Sequence, residues 1–270
     1  MQWWCSANSG AWSWTWRPYL GVWLFVIMLV ATYGWLVRRS RTPVPKVYPA
    51  RFGAGILLLW VALDWPVGPL GASYLLSLHM GQYLLIGLLA PLLLLLGIPR
   101  SAYGALRRRP GFYRLVETVT HPVMAFLVFN AVLTLSHWPA VVDTLRVSQA
   151  GSFVLDLSWL LGGVVFWWPL VVPVPDRSGF QPLARLAYLG LNIVIVRPPM
   201  LILFYSQFPA YRVYELAPPL LPGASPVDDQ QLAAGIMKLG SSWIFFAAMG
   251  VILRRWHLQS VMESARPSPS

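Results

Sequence analysis

Residues 74–99 read YLLSLHMGQYLLIGLLAPLLLLLGIP, an apolar run long enough to cross a bilayer by itself. About 20 mainly apolar residues span the hydrocarbon core as a helix. In hydrocarbon the backbone has no water to bond, so a spanning segment must satisfy its own hydrogen bonds, and a lone run does so as a helix. Yet the run carries His79, Met80, Gln82 and Tyr83 near its start. Polar and ligand-type groups inside a span are expensive and mark function by default.

Six further apolar segments accompany it, giving 19–37, 52–63, 74–96, 122–138, 151–172, 183–205 and 232–253. The second is short, a length that also suits a re-entrant segment. Only 11% of the residues are charged and mean hydropathy is +0.60, against about 25% charged in soluble domains. The chain therefore reads as an all-α polytopic membrane protein. Its 15 Trp and 24 Pro fit that class, since Trp anchors at interfaces and membrane helices tolerate Pro.

The loops decide how the segments cross. Arg38, Arg39, Arg41, Lys46 and Arg51 follow the first segment, and Arg100, Arg107, Arg108, Arg109 and Arg114 follow the third. Arg177 and Arg185 follow the fifth, and Arg254, Arg255 and Arg266 follow the seventh. The alternate loops hold only Arg17, Arg146 and Arg212. Cytoplasmic loops carry the Lys/Arg excess, so the pattern predicts a seven-transmembrane-helix bundle with its N-terminus outside and its C-terminus cytoplasmic. Residues 1–18 form a periplasmic segment, 19–253 the membrane domain and 254–270 a cytoplasmic tail with a disordered end from Ala265. The net charge of +11 then faces anionic inner-leaflet lipid rather than nucleic acid. The first 18 residues lack a basic region followed by a short apolar core, so no cleavable signal peptide is expected. Cys5 is the single cysteine, which excludes an intramolecular disulfide and a CxxC site.

With this orientation Asp64, His79, Met80, His137, Asp156, Asp228, Asp229 and Met237 fall in the outer half. Imidazole with thioether or carboxylate suits copper, and thioether favours Cu(I). No single helix carries a metal motif, so such a site must be assembled across helices. Structural readings stand beside the metal reading. An intramembrane His bonds neighbouring helices, Met fills core gaps, and an aspartate begins a helix as its N-cap. Asp156 would pair with Arg197 or Lys238, the two basic residues inside the sixth and seventh segments, because buried charges need partners. Pro198 and Pro199 should break the sixth helix beside Arg197.

The Asp64-Trp65-Pro66 turn, HMGQYLLIGLLAPLLLLLGIP over 79–99, His121-Pro122, His137-Trp138-Pro139, GGVVFWWPL over 162–170 and DDQQLAAGIMKL over 228–239 occur in this order. Together they resemble the caa3-type cytochrome c oxidase assembly factor family, also called CtaG. The resemblance implies a multi-pass protein of the bacterial plasma (inner) membrane. It would be no enzyme, and would help mature a haem–copper oxidase by handling copper, with oxidase subunits as partners. It carries ligand roles to His79, His137 and Asp229, with Met80 beside them. It departs at Tyr83, where members read a second His, at Ser152 and Asp156, where His is usual, and at Lys238, which stands where a Trp is usual. Two other functions remain open: a copper or small-solute transporter using Asp156, Arg197 and Lys238, and an accessory subunit that has lost its ligands.

Overall fold

A computed structural model describes residues 2–40, 43–106, 110–172, 180–195, 198–220, 223 and 225–264. Among these residues every regular element is a helix. In chain order they are α1 (Leu20–Arg38), α2 (Val47–Leu63), α3 (Val67–Ser73), α4 (Leu76–Gly97), α5 (Arg100–Leu106), α6 (Pro110–Val119) and α7 (Pro122–Ser136). Then follow α8 (Pro139–Leu145), α9 (Gln149–Val171), α10 (Pro182–Val194), α11 (Pro198–Tyr205), α12 (Arg212–Glu215) and α13 (Pro226–Ser264).

Five helical stretches are long and apolar enough to cross a membrane: α1, α4, α9, Pro182–Tyr205 and α13. The count reaches seven if the bent pairs α2/α3 and α6/α7, at 48° and 69°, are each one span. The short second segment is thus longer than its apolar core. It starts at Val47 and continues past the Asp64-Trp65-Pro66 bend into α3. The sixth segment stops at Val194 and resumes at Pro198, as expected before a proline pair, which disfavours helical backbone at the residue preceding it. Helix α13 does not stop at Leu253 but runs to Ser264, so the start of the expected tail is helical. Arg41, Arg107–Arg109, Arg177, Arg197, Arg266 and the Ala265–Ser270 end lie outside the described residues.

Helix α4 is the centre. Its spanning window is 61% buried, against 6% for α1. It packs on α2, α3, α9 and α13, while α1 presents Leu24, Ile27, Met28 and Trp35 outward. Residues Leu84–Leu89 of α4 and Ile236–Gly240 of α13 form π-turns, a geometry that recurs at functional sites. Gln82 of α4 reaches back to the α2/α3 bend, where its Nε2 donates to Ala62 O at 2.7 Å.

The N-terminal segment is not a loose outer extension. Trp4, Cys5 and Ser6 are buried among the helices. Ala7 N donates to Arg146 O at 2.8 Å, Ser73 Oγ to Ser6 O at 3.0 Å, and Cys5 Sγ to Leu63 O at 3.1 Å. Burial first, then the carboxylates of Asp156 and Asp64, push the Cys5 thiol well above its usual range. Since the thiolate is the nucleophile, native protein in detergent at pH 8 should resist maleimide and react only after unfolding in SDS. Rapid labelling of native protein would show the strap to be open.

Candidate functional site

Asp229, in the first turn of α13, shapes the entry to α4. Its carboxylate accepts from Leu76 N at 2.6 Å and Ser77 N at 3.3 Å. These are the first amides of α4, which lack partners within their own helix, and a carboxylate there also meets the positive end of the helix dipole. One turn on, His79 is buried at 0% exposure. Neither of its ring nitrogens has a hydrogen-bond partner.

His137 ends α7, which cannot continue into Trp138-Pro139. Its Nδ1 lies 2.9 Å from Leu133 O. A carbonyl can only accept, so the proton sits on Nδ1, and in the neutral ring Nε2 carries the lone pair. Ser136 Oγ is 3.1 Å from the same Nδ1 and accepts from Trp159 Nε1 at 2.9 Å. The two imidazole centroids are 6.1 Å apart.

Three aromatic residues wall the pair. Trp159 of α9 lies 5.3 Å from His137 at an interplanar angle of 18°, and 5.0 Å from His79 at 70°. Tyr83 stands edge-on to His137 at 4.9 Å, and Tyr214 lies 5.7 Å from His79. Tyr211 Oη donates to His137 O at 2.7 Å, and Tyr214 Oη donates to Gly71 O at 2.6 Å. Burial pushes both phenols up, so both remain donors.

The expected partner of Asp156 is wrong. Asp156 Oδ1 accepts from Arg146 Nη2 at 2.8 Å, and its Oδ2 accepts from Trp4 Nε1 at 2.8 Å. Arg146, one of the few basic residues counted in the outer loops, is buried at 0% exposure. Its guanidinium carbon lies 5.3 Å from the centroid of the Trp159 ring. The pairing is short in sequence: α9 starts just after Arg146 and carries Asp156 inward, while the buried strap supplies Trp4. Lys238 is bound elsewhere, its Nζ donating to Ile193 O. That carbonyl belongs to the last turn of α10, where orphan carbonyls and the negative dipole end attract a cation. Asp156 therefore takes Arg146 as its partner; Arg197 lies outside the described residues.

The other candidates divide. Met80 and Met237 are both buried in the apolar core. Asp228 is exposed and forms a capping box with Ser225, whose Oγ donates to its Oδ2 at 2.7 Å. Asp64 is 2% exposed at the end of α2, and neither carboxylate oxygen has a hydrogen-bond partner. Asp229 is engaged by the α4 amides. No three His, Cys, Asp or Glu side chains converge as a metal cage among the described residues. Nor do the histidines face an open outer cavity, since both are fully buried. Replacing Asp229 with Ala should cost about 1 kcal/mol, as for other helix-cap losses, read as an earlier transition in SDS or heat. It should leave metal stoichiometry unchanged; loss of bound metal would make Asp229 a ligand.

Sequence reasoning missed Trp4, Ser136, Arg146, Trp159, Tyr211 and Tyr214. The one available signal was the oddity of Arg146 on the face poor in basic residues.

Residues 31–259 match the family model described as cytochrome c oxidase caa3 assembly factor (Caa3_CtaG). The match takes in α2 to α12 entire, with the C-terminal part of α1 and most of α13, and so both histidines. This chain belongs to that family. Membership in the Caa3_CtaG family and the apolar helices make it a multi-pass membrane protein and support a role in oxidase assembly. An uncharacterized protein of Mycobacterium bovis and another of Mycobacterium tuberculosis are each 24% identical over an alignment of 162 residues that covers 50% of this chain. The aligned part is 24% of each relative, so the chain spans about a quarter of the length of the curated relatives it matches. No solved structure matches.

Proposed function

We propose that this Caa3_CtaG protein carries copper(I) as cargo between His79 and His137 and passes it to haem–copper oxidase subunits. The work would be done at the outer face of a bacterial plasma membrane. One observation carries the reading: two buried imidazoles lie with their centroids 6.1 Å apart, and neither nitrogen of one of them, His79, has a hydrogen-bond partner.

The donor set fits the ion. Two imidazoles sharing one metal through bonds of about 2 Å hold their centroids roughly 6 Å apart, and imidazole is a good copper ligand. His79 and His137 would be the ligands. Leu133 O orients His137 by accepting a hydrogen bond from its Nδ1–H, the usual support for a metal-binding imidazole. Trp159, Tyr83 and Tyr214 exclude water, and an unbonded imidazole left dry has more to gain from a ligand than one solvated by water. The Arg146–Asp156 pair keeps the neighbouring ionic groups balanced. The orientation that puts this end outside rests on the excess of basic residues at the other end, where Arg38, Arg39 and Arg100 lie.

The test is copper content. Protein purified in detergent under reducing conditions should take up about one Cu(I) per chain against a chromophoric chelator. His79→Ala and His137→Ala should each weaken binding by more than about 100-fold, beyond the loss seen on removing a supporting residue. A wild-type chain that takes up no Cu(I) overturns the proposal.

A further inference from the structure

The three rings His79, His137 and Trp159 form a triangle with sides of 6.1, 5.0 and 5.3 Å. The median of that triangle puts the point midway between the imidazoles about 4 Å from the Trp159 centroid, inside the limit of about 6 Å for a cation–π contact. The indole presents its face towards His137, since the two rings are within 18° of parallel. The ring is fixed there: Nε1 is tied to Ser136 Oγ at 2.9 Å, and Trp159 is 1% exposed. Among the described residues no carboxylate joins the two imidazoles: Asp229 is held by the amides of Leu76 and Ser77. Asp156 is matched by Arg146 at 2.8 Å, and no third His, Cys, Asp or Glu joins the histidines among the described residues.

These features bear on charge. A divalent ion between two neutral imidazoles leaves two positive charges in a dry interior, which costs heavily without carboxylates. A monovalent ion leaves one, and an aromatic face is a proper counterpart for it. Trp is the best of the aromatic side chains for this contact.

We propose that Trp159 is a specificity-determining residue of the site: its indole face supports a monovalent soft cation, Cu(I) or Ag(I), and the lack of carboxylate rejects Zn(II). This deepens the copper reading above and rests on it. Trp159→Leu removes the π-face and the Ser136 bond together. Trp159→Phe keeps a π-face and loses only the bond.

The experiment measures Cu(I) and Zn(II) affinities by chelator competition for the wild type and both variants, with Ag(I) as a redox-inert probe. Wild type should prefer Cu(I) strongly. Trp159→Leu should lose about 30-fold in Cu(I) affinity, the factor for a desolvated cation–π contact of about 2 kcal/mol, and the Cu(I)/Zn(II) ratio should fall with it. Trp159→Phe should keep most of both. A second readout needs only the conservative variant: Ag(I) should produce a tryptophan difference spectrum in the wild type that Trp159→Phe lacks. Equal affinity and ratio in wild type and Trp159→Leu overturn this inference and leave the copper reading standing. So do equal losses in both variants, or a wild-type Ag(I) complex without the tryptophan signal. A wild type that binds no Cu(I) overturns the underlying reading instead.

Discussion

Asp156→Ala is expected to destabilise the protein by about 3–5 kcal/mol, the cost of stranding one partner of a buried ion pair. Arg146 and Asp156 are 0% and 3% exposed, and their contact is 2.8 Å. Removing the carboxylate leaves the guanidinium without its counter-charge and leaves Trp4 Nε1 without its acceptor. Two buried donors then lose their partner at once, and the N-terminal strap loses its deepest anchor. The measurement is the SDS or thermal unfolding midpoint in detergent. The double variant Arg146→Met/Asp156→Leu should recover most of the loss, because an apolar pair of similar volume avoids the desolvation cost. If Arg146 acted only as a loop charge, Arg146→Met alone would leave stability unchanged; here it should be costly as well. A midpoint for Asp156→Ala equal to wild type would reject the pair as a structural element.

The next largest effect is expected at Gly163. A Cβ there would sit 2.0 Å from Gly87 O and 2.7 Å from Pro91 Cγ, so α9 crosses the π-turn of α4 backbone to side-chain-free backbone. Neither neighbour is a flexible tip that can swing aside. Gly163→Val should cost about 3 kcal/mol or more, at the upper end for overpacking. The effect should reach the histidines. Trp159 and Gly163 are four residues apart and share a helix face, so parting α9 from α4 moves Trp159 away from His79. Copper(I) affinity should fall together with stability. Unchanged affinity in a destabilised Gly163→Val would mean that α9 does not set the geometry of the site.

Much of the architecture was legible because membrane physics writes it into composition. The length of α4, the interruption before Pro198 and the one-sided distribution of Arg each answer to a rule that needs no partner residue. The same holds for the grouping of polar side chains at one end, which placed His79 and His137 together before any contact was known. Pairing was not legible. Lys238 and Asp156 looked complementary because both are charged and buried in spans. Yet Lys238 found a carbonyl freed at the end of α10, and Asp156 found an arginine ten residues before it. A charge in a span states only that it needs a partner. Backbone carbonyls at a broken helix can also bind a cation, and nothing in the sequence marks whether a carbonyl or a carboxylate is in reach. Asp229 shows the same ambiguity, since a carboxylate beside a helix start serves as a cap as readily as a ligand.

By itself the sequence determined that this chain spans a membrane as helices, where they break, and that two histidines belong to one end of the bundle. These follow from local hydropathy, proline and charge, which act along the chain. Only the tertiary structure decided that the histidines are sealed, that Trp159 packs beside both of them and near Arg146, and that Trp4 binds Asp156 from the N-terminal side. Those facts depend on how closely helices approach, and therefore on glycines and ring planes whose effect exists only when distant segments meet.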